Sequence, residues 1–203
     1  MAVNIKLITW NVRGLNSFTK RYRTQTYLRR QECQIAMLQE THLTEEESKK
    51  MHRRWRGQMF SSTYSSYARG VAIWMAPRVP FLPLYTKADI EGRYVLVYGY
   101  LEGKEICLLN VYAPNTDDGE FYQTILQELT PYVGTPMIWA GDFNCVLDGE
   151  LDRSPPKTNT KPRMTKSLES VMTNLGCRDI WRERHPETSE YTCYSPGHGA
   201  YSR

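Results

Sequence analysis

No two cysteines stand in CxxC spacing, and the five that occur (Cys33, Cys107, Cys145, Cys177 and Cys193) are odd in number and widely separated. A structural zinc site of the paired-cysteine type is excluded, and the pattern reads as free thiols in a reducing compartment, nucleus or cytoplasm. No apolar run approaches the roughly 18 residues that a membrane-spanning helix needs. The longest, such as Val71 to Ala76, have strand length. The opening MAVNIKLITW lacks the basic and apolar regions of a secretory leader and reads as a strand. A glycine-rich phosphate loop and a GxSxG elbow are also missing, so nucleotide-driven transfer and serine hydrolysis have no support. Internal repeats and low-complexity tracts are absent, and apolar and charged fractions near the globular average exclude a disordered, a collagen-like and a coiled-coil chain.

What remains is an ordinary globular composition with many aromatics. Of 203 residues, 40% are apolar, 24% charged and 12% aromatic, with fourteen tyrosines. A chain of this size buries roughly 70% of the surface its unfolded form exposes, enough for one domain, expected over residues 1–203. The net charge of +4 permits a polyanionic partner without requiring one.

Strand-like and helix-like segments alternate. Val3 to Trp10 and Ile35 to Gln39 read as short buried strands. Phe18 to Arg30 reads as a helix capped by Ser17, with Tyr22, Thr26 and Leu28 inward. Thr44 followed by Glu47 is a capping box that opens a helix to about Arg56. The middle is β-rich: residues 57–64, 70–75, 81–88, 93–101 and 105–112 each have strand length, with a hairpin turn at Gly103-Lys104. A helix over 118–132 with Phe121, Ile125 and Leu129 on one face, a strand over 136–140, a proline-bearing loop over 154–166, a helix over 165–175 closed by Gly176, and a short strand over 191–194 complete the reading. The order fits an α/β protein with strands in two groups and helices outside.

Polar residues gather at the carboxyl ends of the buried strands. Asn11 follows Trp10, Glu40 follows Gln39, Asn110 and Tyr112 end a strand, and Asp142 and Asn144 follow Ala140-Gly141. Such residues often only mark turns, but Glu40 directly after an apolar strand is costly unless paired or metal-bound. One or two carboxylates with amide oxygens suit a hard cation, Mg²⁺ or Mn²⁺, better than zinc. A second carboxylate can take a proton from water, and a phenol can donate to a developing oxyanion. Together these groups fit metal-assisted phosphodiester hydrolysis.

Four segments in order, Leu7-Ile8-Thr9-Trp10-Asn11-Val12-Arg13-Gly14-Leu15-Asn16, Leu38-Gln39-Glu40-Thr41-His42, Asn110-Val111-Tyr112-Ala113-Pro114-Asn115 and Gly141-Asp142-Phe143-Asn144, resemble the endonuclease/exonuclease/phosphatase superfamily. The likeness covers essentially the whole chain. It is greatest to the apurinic-endonuclease-like domain of LINE-type retrotransposon proteins, through Arg13, His42, Phe143, Asp152-Arg153-Ser154 and Tyr191-Thr192. The resemblance implies a four-layered α/β/β/α sandwich of two packed mixed sheets, and Mg²⁺-dependent nicking of DNA to leave a 3′-hydroxyl. That end would prime a reverse transcriptase domain expected downstream, in the nucleus. It implies that Glu40 and Asn11 hold the metal, that Asp142 orients and deprotonates the attacking water, that Asn144 holds water or phosphate, and that Tyr112 hydrogen-bonds the phosphate. It makes His42, Asn115, Thr192, Arg13 and Arg153 candidate DNA contacts. Two acid-free basic runs suit a phosphate backbone: residues 17–31, with Lys20, Arg21, Arg23, Arg29 and Arg30, and residues 154–166, with Lys157, Lys161, Arg163 and Lys166. The second adjoins the Asp142 loop and is the favoured DNA contact.

The family's later motifs, an Asp after a Ser-Arg pair and a Ser-Asp-His, do not occur here; Ser202-Arg203 is the final dipeptide. The expectation is a C-terminally truncated domain that lacks its last strands and has impaired activity. Two further readings stand beside target nicking. One is exonuclease III-like or apurinic-site cleavage in repair; the other is a catalytically dead remnant that still binds DNA.

Overall fold

Apolar alternation on both faces of its strands gives the first part of the chain two cores rather than one. In the computed structural model, which describes residues 4–156, 161–195 and 199–203, β1 (Leu7–Asn11) is returned by α1 (Phe18–Arg30) to lie parallel with β2 (Ile35–Gln39), the connection that parallel pairing requires. α2 (Glu45–Arg54) then leads into the antiparallel strands β3 (Gln58–Ser62) and β4 (Val71–Met75), completing a mixed sheet of order β1-β2-β4-β3. β5 (Phe81–Ala88), β6 (Tyr94–Leu101) and β7 (Lys104–Tyr112) form an antiparallel meander, and β8 (Met137–Asp142) pairs in parallel with β7 to close a second sheet of order β5-β6-β7-β8. Leu101 and Lys104 face each other across Glu102-Gly103, both at positive φ (52° and 77°), so the hairpin turns one residue earlier than the sequence suggests.

The two-residue period of β2 shows how the layers are held. Ile35 and Met37 point toward the second sheet and join Val71, Ile73, Val95, Val97 and Leu108; Ala36 and Leu38 point the other way and join Trp74, Leu28 of α1 and Met51 of α2. Two packed mixed sheets with helices outside, as expected, make up this unit, Met1–Ala113 with Gly134–Asp142. The capping box is present: the Thr44 hydroxyl accepts from Glu47 N at 3.3 Å and the Glu47 carboxylate accepts from Thr44 N at 3.1 Å. α1 departs from the reading. Thr24 and Leu28 are buried, whereas Tyr22 is 61% exposed, and Ser17 occupies the N-cap without a side-chain bond. A basic amphipathic helix with few large apolar residues leaves its inward face ambiguous, and here small Thr24 fits.

The second unit is Pro114–Val133 with Phe143–Arg203. α3 (Glu120–Leu129) buries Tyr122, Ile125 and Leu129, so Tyr122 rather than Phe121 faces the core; the Tyr122 hydroxyl donates to Phe143 O at 2.7 Å. β9 (Arg153–Ser154) precedes α4 (Arg163–Leu175), which starts two residues earlier than expected. Asp117 accepts from Arg163 N at 3.1 Å and Met164 N at 2.8 Å there, and these bonds hold its carboxyl below the usual range. The expected loop over 154–166 is therefore strand at one end and helix at the other. α5 (Ile180–Arg184), capped by Asp179, has no counterpart in the sequence reading; the strand expected over 191–194 appears as β10 (Cys193–Ser195), and its pairing with β11 (Ala200–Ser202) and β9 in a small antiparallel sheet of order β10-β11-β9 lies outside that reading. Asp152, 1% exposed, pairs with Arg182 and Arg203, and Arg203 also pairs with Asp179. All five cysteines are free. Among the described residues no helix is long and apolar enough to cross a membrane.

Candidate active site

Two parallel strand pairs, one in each sheet of the first unit, end at the same place. Register aligns Asn11 with Gln39 in one sheet and Tyr112 with Asp142 in the other. Parallel pairing delivers both carboxyl ends together, which no hairpin would do. The Asn11 side-chain amide joins the sheets: its nitrogen donates to Glu40 Oε1 and to Asp142 Oδ2, each at 2.8 Å. Arg13 N in turn donates to Asn11 Oδ1 at 3.1 Å, which fixes the orientation of the amide.

Below these groups a buried polar bridge sets their height. Gln39, 1% exposed, donates through Nε2 to Asn110 Oδ1 at 2.7 Å, Met37 O at 2.9 Å and Thr9 Oγ1 at 3.1 Å. Asn110, with no exposure, donates to Leu38 O and Ala72 O at 2.9 Å each. Gln39 directly precedes Glu40, and Asn110 lies two residues before Tyr112. Asn110 thus belongs to the scaffold beneath the site.

The backbone around Glu40 leaves the sheet abruptly. Arg13, Glu40 and His42 all adopt left-handed conformations (φ 48°, 50° and 51°). They are held there by Gly14 N to Glu40 O (2.6 Å), Leu15 N to Thr41 O (2.7 Å), Thr41 N to Gly70 O (2.9 Å) and His42 N to Arg69 O (3.0 Å). Two glycines permit the close approach. Gly14 has φ 92° and a Cβ there would sit 3.0 Å from His42 Nδ1; Gly141 has φ 145° and a Cβ would strike Val111 O at 2.1 Å.

His42 Nε2 lies 3.5 Å from Glu40 Oε2. Tyr112 is half-buried. Burial, then the charge of Glu40 and its hydrogen bond with Glu40, then Asp142, push its phenol up to about 12, against the pull of Arg93. The Arg93 guanidinium stands 5.1 Å from the Tyr112 ring centre and donates to Ala113 O at 3.3 Å. Tyr112 is therefore a protonated donor at neutral pH. Arg93 escapes sequence reasoning because nothing in its local pattern marks a cation at a strand start as a site residue.

Two carboxylates sharing one amide nitrogen in a half-buried site repel each other, and a cation relieves that repulsion. The donors are oxygens, which suits a hard ion that keeps several of its waters and takes few protein ligands. Among the described residues no group of three or more His, Cys, Asp or Glu is disposed to hold a metal.

Residues 8–201 match the Endonuclease/Exonuclease/phosphatase family. The chain belongs to that family. It is 29% identical over its whole length to the Transposon TX1 uncharacterized 149 kDa protein of Xenopus laevis, of which it spans 16%. It is 25% identical to the Exodeoxyribonuclease of Bacillus subtilis, over 98% of this chain and 83% of that one, and 27% identical to the DNA repair nuclease APEX1 of Danio rerio, over 92% and 64%. Among solved structures, an AP endonuclease from Leishmania major superposes with a TM-score of 0.77 at 19% identity, covering 95% of this chain and 73% of that one. An AP endonuclease from Archaeoglobus fulgidus gives 0.68 at 23%, covering 95% and 79%. These likenesses establish the fold.

Of the residues the family resemblance singled out, Asn11, Glu40, His42, Tyr112 and Asp142 meet within the first unit, with Arg13 beside them. Asn115 and Asn144 lie in the second unit, Asn144 in a left-handed conformation (φ 49°). Arg153 sits on β9 opposite Ser202, Thr192 N donates to Ser202 O at 3.0 Å, Lys161 pairs with Glu169, and Arg163 opens α4. Lys157 lies outside the described residues.

Proposed function

We propose that this chain is a nuclease of the Endonuclease/Exonuclease/phosphatase family that hydrolyses phosphodiester bonds in DNA with Mg²⁺. The reading favoured is a single-strand nick that leaves a 3′-hydroxyl for target-primed reverse transcription. The observation that carries the chemistry is the Asn11 amide held 2.8 Å from both Glu40 and Asp142, with Tyr112 kept protonated alongside. The resemblance assigns the cation to Glu40 and Asn11: Glu40 would hold it through its carboxylate, and Asn11 through Oδ1 once its amide turns away from Arg13 N, since its nitrogen now faces both carboxylates. When bound, it would neutralise charge on the phosphate and acidify water. Asp142 orients the attacking water and accepts its proton. Tyr112 donates its hydroxyl to the phosphoryl oxygen as charge builds there, and Arg93 keeps the ring in place. The resemblance assigns phosphate or water holding to Asn144, and DNA contacts to Arg13, His42, Asn115, Arg153, Lys157, Lys161, Arg163 and Thr192.

The likeness of the whole of this chain to a part of a transposon protein favours target nicking; a reverse transcriptase domain in the parent protein and action in the nucleus belong to that same reading. The likeness to a repair nuclease supports a second reading, cleavage at abasic sites. Supercoiled plasmid and an abasic duplex, each incubated with Mg²⁺ or EDTA, separate the two. Glu40→Gln is expected to lower plasmid nicking by about 10²–10³-fold, the size of a lost preorganised charge. Equal nicking by Glu40→Gln, or nicking that survives EDTA, overturns the proposal. A chain that binds DNA but never nicks it is the inert remnant.

A further inference from the structure

The far end of the first sheet, away from Asn11 and Glu40, carries a concentration of charge that the proposed chemistry does not use. β1 and β2 are parallel and end at the candidate site, so α1, which returns between them, and α2, which leaves from Thr44, both finish at the opposite end. One length of β2, about 17 Å at 3.4 Å per residue, separates the two ends. There a cleft of about 460 Å³ is lined by Leu28 and Arg29 of α1, Cys33, Arg54 of α2, Trp55, Arg56, Ala76 and Pro77. Its walls are fixed: Trp55 Nε1 donates to Met75 O at 2.8 Å, Ala76 N to Gln34 O at 2.8 Å, and the Trp55 ring lies 5.3 Å from that of Trp74.

Three segments meet at this cleft, 28–34, 52–58 and 75–79. They contain six arginines (Arg29, Arg30, Arg53, Arg54, Arg56 and Arg78) and one acid, Glu32, a net charge of +5 where the whole chain carries +4. Basic residues in a last turn favour the helix dipole, which accounts for one or two per helix but not for Arg56 and Arg78, which lie outside the helices. The guanidinium groups of Arg29, Arg54 and Arg56 make no ion pair among the described residues. The floor between them is apolar and aromatic. Arginines around an aromatic ring match a phosphate backbone whose bases are free to stack, and match an acidic peptide less well because a run of Asp and Glu does not bring an aromatic ring with each charge.

We propose that this cleft binds a single-stranded stretch of nucleic acid, its phosphates on Arg29, Arg54 and Arg56 and a base against Trp55, at a site separate from the cleaving one. The assignment does not rest on nuclease activity. Fluorescence anisotropy of a labelled 20-nucleotide single strand, in EDTA so that no hydrolysis occurs, tests it on the whole chain. The variant Arg29→Ser/Arg54→Ser/Arg56→Ser is expected to bind at least tenfold more weakly. Its log–log salt slope should be about 2 shallower, at about 0.7 for each single-strand phosphate that is no longer neutralised. Arg29→Lys/Arg54→Lys/Arg56→Lys, which keeps the charge, should retain the slope, and circular dichroism of both variants should match the parent. Unchanged affinity and slope in the serine variant overturn the inference. So does displacement of the strand by polyglutamate or inorganic phosphate at equal charge concentration, which would mark a generic anion surface. Failure of plasmid nicking leaves this result intact, because the two assays share no step.

Discussion

Replacing Asn110 with leucine removes three hydrogen bonds from a side chain with no solvent exposure: the one it accepts from Gln39 and the two it donates to Leu38 O and Ala72 O. Each is worth about 1 kcal/mol net, and leucine is close enough in volume that no large cavity opens. The expected loss is about 3 kcal/mol. With a urea slope of about 2–3 kcal/mol/M, the unfolding midpoint should fall by about 1–1.5 M. Gln39 still has Thr9 and Met37 as acceptors, so its amide is only partly stranded. For that reason Gln39→Leu/Asn110→Leu should lose less than the two single variants together, since removing both partners of a buried pair avoids the unpaired group. Urea titration followed by tryptophan fluorescence measures all four proteins. An Asn110→Leu midpoint within about 0.3 M of the parent, equivalent to roughly a tenth of the stability of a typical domain, would refute the claim that this bridge holds the sheets in register beneath Glu40 and Tyr112.

Further expectations concern the site, the second unit and a helix end. Tyr112→Phe keeps the ring under Arg93 but loses the donor, and nicking should fall by about 10–10²-fold with little change in stability, read by the same plasmid assay and a thermal melt. Burial pushes the Asp152 carboxyl up, but its hydrogen bonds with Arg203 and Arg182 outweigh that and hold it below the usual carboxylate range. A depressed folded value stabilises the protein above the unfolded carboxylate range, near pH 4, and that contribution disappears as pH falls through the folded value. Asp152→Asn should therefore lower the melting temperature at pH 7, by a difference that shrinks as pH falls below about 4. Thr44→Ala removes the capping box of α2 and should cost about 1 kcal/mol in urea unfolding.

Much of this architecture is legible in the sequence because the signals are local and redundant. Thr44 and Glu47 mark a helix start whatever surrounds them, and β2 reads as five buried residues because it faces a core on each side. The four polar strand ends are readable because turn chemistry and apolar runs place them together. Their convergence through Asn11 depends on parallel pairing and on a bond between residues 131 apart in sequence, which no local pattern carries. The misreadings share that cause. Tyr22 faces outward because Thr24 and Leu28 satisfy the sheet first. The 154–166 stretch resolves into β9 and α4 because Asp117, 46 residues earlier, caps the helix. Asn110 looks like a site residue by position, and only its three buried partners identify it as scaffold.

The left-handed backbone at Arg13, Glu40 and His42 has an evolutionary consequence. Each such residue costs about 1–2 kcal/mol relative to glycine, which adopts that conformation freely. Glycine at position 40 would therefore relieve the chain even as it removed the carboxylate. Under drift, when nothing tests for cleavage, glycine becomes a stability-improving substitution at these positions, as it is at Glu32, Arg69 and Glu102, which share the conformation. A lineage of such chains should record the end of selection as glycines at its reactive corner before its cores show any change.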